Sequence, residues 1–263
     1  VYKRQERKHM KDQIYVATFS ENAIDVIREN GFNIELNDLC ISENLDPEKV
    51  RDTMEEMKRE ITASGADKAI IHGPFTEIIP ASIDHRAVKL GLTRLNEAHA
   101  VAEKLGIKKM VVHSGHMPLL YFKEWHKEKS HYFWKEFMKD KPADFIIYIE
   151  NVFEEEPLMI KEIIEDLDDP RIQLCLDVGH ANAVTCEDFD IHDWIRILGP
   201  MIGHLHLHNN NGKEDLHGPL DVGTMDMRAV LSSIKTYCRP DVTMTIELSL
   251  IHISEPTRRT PIS

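Results

Sequence analysis

Eight short apolar runs, separated by longer segments of helical period, constrain this chain more than any other feature. The runs are Ile14–Phe19, Asn33–Leu36, Ala69–His72, Met110–His113, Phe145–Glu150, Gln173–Asp177, Ile202–His208 and Thr243–Leu248. Each is brief and rich in Ile, Val or Leu, the pattern of strands covered on both faces. The segments between them read as helices. Asp46 is placed to cap one, with Pro47 at its first position, apolar residues at Val50, Met54, Met57 and Ile61, and Gly65 to close it. Ile83–Leu105 ends at Gly106, and Tyr121–Met138 carries Trp125, Phe133, Trp134 and Phe137. Asn22–Glu29, Leu158–Leu167, Ile191–Leu198 and Met227–Tyr237 are shorter. Strand and helix alternating throughout imply right-handed parallel crossovers. Eight strands favour closure into a (β/α)8 barrel over an open sheet, and no Gly-rich phosphate turn follows the first strand to suggest a dinucleotide fold.

The length, 263 residues, suits one such barrel, which takes about 250. Val1–His9 and Ile251–Ser263 are polar and aperiodic and are expected to be non-native tails, with Met10 as the native start. The barrel domain is then 10–250, and it is expected to lack its last helix. The formal net charge of −13 argues against tight, extended contact with nucleic acid. Cys40, Cys175, Cys186 and Cys238 form no C-x-x-C pair, so they read as reduced thiols in a cytoplasmic protein. No apolar run is long enough to span a bilayer, and no membrane partner is expected.

The chemistry lies at the strand ends. Six successive runs finish on a potential metal ligand: His72, His113, Glu150, Asp177, His206 and Glu247. In a barrel these ends converge on one mouth. Alternation puts His204, His206 and His208 on one face of their strand, and Cys175 with Asp177 on the inward face of theirs. Taken singly, each residue has an ordinary role. A histidine after an apolar strand is usually just hydrogen-bonded, Asp177 can cap a helix, and Asp215 with His217 suits a polar loop. Together they are costly to bury, and the sequence offers no matching set of inward Arg or Lys. A divalent cation would neutralise them. His99 and His126 lie on helices and read as packing or surface residues, and Trp125, Phe133 and Trp134 as packing aromatics. Glu154–Glu156 suit a helix start.

In combination, L-C-L-D-V-G-H-A at 174–181, H-L-H at 204–206 and D-L-H-G-P-L at 215–220 resemble the xylose isomerase-like TIM barrel superfamily, over nearly the whole chain. That superfamily includes sugar isomerases and epimerases, and endonuclease IV of DNA repair. The resemblance implies either of two metal sets. The epimerase pattern implies one ion on Glu150, Asp177, His206 and Glu247, with His180, His113 and His72 toward substrate. The endonuclease pattern implies three zinc ions, with His72, His113, His180, Asp215 and His217 as added ligands. The carboxylate-rich set suits Mn or Mg, and the His-rich set suits Zn.

Departures from the endonuclease pattern separate the two. Asn151-Val152-Phe153 follows Glu150 where the endonuclease has Asn-Thr-Ala-Gly. Asp177-Val178 lacks a Thr-Cys or Ser-Cys pair, and three acidic residues at 154–156 would repel a phosphate backbone. The reading is therefore a sugar or sugar-phosphate isomerase or epimerase, with Glu150 and Glu247 as catalytic bases moving a proton through a metal-stabilised enediolate. Its expected partner is a small sugar or polyol and not nucleic acid, and the resemblance implies that homo-oligomers are common in such barrels. The alternative is zinc-dependent phosphodiester hydrolysis at abasic DNA. A polyol lyase and a non-catalytic barrel are further readings.

Overall fold

The computed structural model describes residues 11–20 and 22–248. Within them eight parallel strands close a barrel in sequence order: β1 Ile14–Ala17, β2 Asn33–Leu36, β3 Ala69–His72, β4 Lys109–His113, β5 Ile146–Glu150, β6 Ile172–Asp177, β7 Ile202–Leu207 and β8 Thr243–Ile246. β8 closes on β1 through the Tyr15–Thr245 register. All eight expected strands are present, shifted at their ends by one or two residues, as fraying termini allow.

Eight helices are described: α1 Ala23–Asn30, α2 Val50–Ser64, α3 His85–Leu105, α4 Lys123–Met138, α5 Pro157–Leu167, α6 Val178–Val184, α7 Ile191–Leu198 and α8 Met227–Tyr237. Gly31, Gly65 and Gly106 stop α1, α2 and α3 in the left-handed conformation. Asp84, Asp190 and Asp226 cap α3, α7 and α8 through their carboxylates. Asp46 does not cap α2 with its side chain. The helix begins at Val50 after a turn, and Asp46 instead pairs with Arg94 of α3 at 2.7 Å. The short α6 has no counterpart in the sequence reading, because a Val-Gly-His-Ala-Asn-Ala-Val run has no 3.6-residue apolar period. The expectations of a missing last helix and of non-native tails fall on residues outside those described.

The larger core lies between sheet and helices, where Trp134, Phe137, Trp194, Ile160 and Leu174 are buried. A smaller one, formed by Tyr15, Ile70, Val111, Tyr148 and Cys175, fills the barrel itself. This inner plug supports polar residues that rise toward the C-terminal ends of the strands. Among the described residues no helix is long and apolar enough to cross a membrane.

Candidate active site

Glu150 ends β5, Asp177 ends β6, His206 lies in β7 and Glu247 follows β8; all four are buried. His206 Nδ1 lies 2.9 Å from Glu247 Oε2, 3.0 Å from Glu150 Oε1 and 3.9 Å from Asp177 Oδ2. One imidazole nitrogen carries at most one proton and cannot satisfy three carboxylates. Asp177 Oδ2 and Glu247 Oε2 are indeed buried without a hydrogen-bond partner. One donor atom from each residue lies within 4.8 Å of the others, so the donor set fits a divalent cation.

Two further donor groups flank this one. His72 Nε2 and His113 Nε2 stand 3.2 and 3.5 Å from Glu150 Oε2, so the two oxygens of Glu150 face different groups. On the other side His180 Nε2 and His217 Nε2 approach Asp215 Oδ2 at 3.2 and 3.1 Å. His208 joins this group: its Nε2 lies 3.0 Å from Asp177 Oδ1, and its ring stacks on His217 at 3.9 Å. Every site residue expected from the sequence is therefore in one contiguous cluster.

The imidazoles are oriented by the backbone. His72 Nδ1 donates to Gly73 O at 2.9 Å, His180 Nδ1 to Asn151 O at 2.9 Å, and His217 Nδ1 to Glu247 O at 3.2 Å. A carbonyl only accepts, so each Nδ1 holds a hydrogen and each Nε2 is turned toward a carboxylate oxygen. Neutral Nε2 and carboxylate both carry lone pairs, and a proton or a cation must lie between them. His217 adopts a positive φ of 45°, a conformation uncommon for a residue with a side chain. Gly179 is required by proximity, since a Cβ there would lie 1.9 Å from the His208 ring. Asp177 serves twice: Oδ1 caps α6 by accepting from His180 N at 2.7 Å, while Oδ2 faces the central group.

Burial alone would raise the Glu150 carboxyl, but the imidazoles around it, His206 foremost, hold it well below the ordinary range. Burial opposes protonation of His180 and His217. Asp177 and Asp215 nonetheless hold His180 well above its usual value, and Asp215 with Glu247 raises His217 to about 9. Burial pushes His113 down to about 3. Without a cation, protons on these imidazoles balance the carboxylates.

Below this cluster lies a second polar layer that the sequence reading missed. Glu35, in β2, accepts from Thr245 and lies 3.2 Å from His204 Nε2. His204 Nδ1 bonds Thr243 Oγ1 at 2.7 Å, and Tyr148 stacks on its ring at 5.3 Å. Glu35 Oε1 reaches His206 Nε2 at 3.0 Å, off the hydrogen-bond direction. The available signal was a charged residue in an otherwise buried run, Asn33-Ile34-Glu35-Leu36. For His208 it was the alternation along β7.

A pocket of about 620 Å³ opens above the cluster, with His72, His113, Glu150, His180, Asp215, His217 and Glu247 in its lining. Of the three acidic residues after β5, Glu155 is exposed and the other two are engaged locally. Glu154 is buried and accepts from Ser114 and Val152 N, and Glu156 caps α5 and pairs with Lys123. His126 is buried against Ser130 and His116, and Phe133 and Trp134 pack in the core, as expected.

The model of the xylose isomerase-like TIM barrel family matches residues 24–256, and the chain belongs to that family. Two uncharacterized proteins of Methanocaldococcus jannaschii are similar to it, at 28% identity over 179 residues and 27% over 177. These matches take in 63% and 64% of this chain and 59% and 66% of theirs.

Among solved structures the fold is shared with a D-tagatose 3-epimerase-like protein, at TM-score 0.70 and 24% identity, covering 91% of each chain. It is shared with a Thermus thermophilus protein soaked with ZnCl2, at 0.72 and 23%, covering 90% of this chain and 91% of that one. An AP endonuclease, family 2, of Brucella melitensis follows at 0.67 and 15%, covering 90% and 93%. The neighbours thus come from both branches of the superfamily.

Proposed function

We propose that this barrel is a metal-dependent phosphoesterase holding up to three divalent cations, with zinc favoured by the number of imidazoles. The observation that carries it is the division of Glu150: Oε1 belongs to the group with Asp177, His206 and Glu247, and Oε2 to the group with His72 and His113. His180, Asp215 and His217, with His208, form the third group. Glu35, Glu150, Asp177, Asp215 and Glu247 bring five negative charges. One divalent ion compensates two of them and leaves the others to protons on the surrounding imidazoles. Three ions leave one positive charge, which suits a phosphoryl group. Divalent ions, when bound, supply Lewis acidity toward a phosphoryl oxygen and activate water. The chain's part is to aim the Nε2 atoms, to hold Glu150 and Asp177 between neighbouring groups, and to brace His113 with Phe75, stacked on it at 4.5 Å.

A second reading, a sugar or sugar-phosphate isomerase or epimerase on one Mn, Mg or Zn ion, rests on a different observation. Glu150 and Glu247 come from well-separated strands and both face His206 Nδ1, so each can touch one face of a ketose. Epimerase-like structural neighbours support this reading, as the zinc-soaked neighbour supports metal binding. Elemental analysis separates the two. About three ions per chain, with phosphoester hydrolysis abolished by Asp215→Asn, is the expected result. One ion, with ketose epimerisation that survives Asp215→Asn, would sink the phosphoesterase reading in favour of the other.

A further inference from the structure

The walls of the pocket differ from its floor. The floor is the ring of imidazoles and carboxylates. The walls come from three strand-to-helix loops and one helix end: Phe75 and Ile79 after β3, Met117 after β4, Val152 and Phe153 after β5, and Val184 at the end of α6. Outside the metal-binding groups, the polar side chains in the lining are Thr76, His116 and Lys213. A polyol carries several hydroxyls, and each one desolvated against Phe, Ile, Met or Val without a partner costs binding energy. A cavity of about 620 Å³ is also far larger than a phosphoryl group needs and lies in the range that encloses a drug-sized molecule.

Resting on the phosphoesterase reading, we infer that the substrate is amphiphilic, with a phosphoester head on the polar floor and an apolar alkyl or aryl body against these walls, not a sugar. Lys213, an exposed residue, is the one Lys or Arg in the lining. Phe153, one of the wall residues, is half exposed at 51%.

The test is calorimetric binding of two non-hydrolysable phosphonates to the zinc-loaded full chain, with turnover measured in parallel. Each buried methylene is worth roughly fourfold in affinity. Octylphosphonate is therefore expected to bind at least about 50-fold tighter than methylphosphonate, allowing for partial burial of the chain. Met117→Ser and Phe153→Ser are each expected to cut that ratio about fivefold or more. Octyl phosphate should also be hydrolysed with a higher kcat/KM than glucose 6-phosphate. Equal affinity for the two phosphonates, with esters still hydrolysed, overturns the amphiphile and leaves the phosphoesterase. A large octyl preference without hydrolysis of any ester supports the amphiphilic site and overturns the phosphoesterase. Failure to bind either phosphonate overturns both.

Discussion

Two polar layers stand one above the other inside the barrel, built from the same residue types and satisfied in opposite ways. In the lower layer His204 has both ring nitrogens engaged, by Thr243 on one side and by Thr245 and Glu35 on the other, and Glu35 Oε1, facing His206, is the atom left without a partner. In the upper layer Asp177 Oδ2, Glu247 Oε2 and both nitrogens of His208 are buried without partners. A folded protein leaves few such groups unpaired, because each costs about 1–3 kcal/mol. Most polar atoms of the lower layer are paired and help hold the barrel together, whereas the upper layer keeps more donor atoms free for the cations proposed above. Substitutions in the first should cost stability, and substitutions in the second should cost metal and turnover.

The largest expected effect tests the upper layer. Glu150→Gln should lower phosphoester turnover by about 10³-fold or more and reduce bound metal, with the fold intact by circular dichroism. Retention of three ions and near-normal turnover would break the comparison at its centre. Next, His204→Ala should destabilise the chain by about 3–4 kcal/mol in urea, since it opens a cavity and strands Thr243, Thr245 and Glu35. Its metal content should be unchanged. His113→Ala should do the reverse, losing an ion with little change in the metal-free midpoint. Third, zinc at about 100 times its dissociation constant should add about 2.7 kcal/mol to the native state, raising Tm by roughly 5–10 °C, reversibly with chelator. Asp215→Asn should weaken that gain, and a gain of equal size in Asp215→Asn would argue against the third donor group.

The smallest effect lies outside both layers and shows what burial does to carboxyls that have neither imidazole nor cation. Burial, with Asp38 and Glu56 nearby, raises Glu60 to about 8, and burial also raises Asp38. A raised carboxyl stabilises the fold in its protonated form, fully below the unfolded value near 4.5 and progressively less as pH climbs through about 8. Glu60→Gln keeps the neutral form. It should raise Tm by about 1–3 °C at pH 9 and by almost nothing at pH 5. An equal shift at both values would show that the carboxyl does not titrate in this window.

Much of this was legible in the chain. The strand ends that matter, from His72 to Glu247, were readable because a charged or imidazole residue closing an apolar run has few other places to go. Helix ends were readable where a glycine does local work, as at Gly65 and Gly106, whereas the cap at Asp84 was not, the run having been started at Ile83. The failures have physical causes. Asp46 suggests a cap because only local partners can be read from sequence, whereas its partner, Arg94, is 48 residues away. The acidic run after Glu150 suggests a repelling field, but two of its members find partners after β4, Glu154 with Ser114 and Glu156 with Lys123, which leaves Glu155 exposed.

By itself the sequence determined the barrel, the mouth at which its polar residues gather and the identity of nearly all of them, because period and alternation act over a few residues. Which partners surround each histidine was decided by tertiary structure alone. Alternation puts His204, His206 and His208 on one shared face, and only the family resemblance sets His206 apart. Only closure of the barrel brings Thr243, Thr245 and Glu35 to the first, three carboxylates to the second and the Asp215–His217 loop to the third. Hydrogen-bond satisfaction is a property of neighbours distant in the chain, and it is what separates a structural polar group from a reactive one.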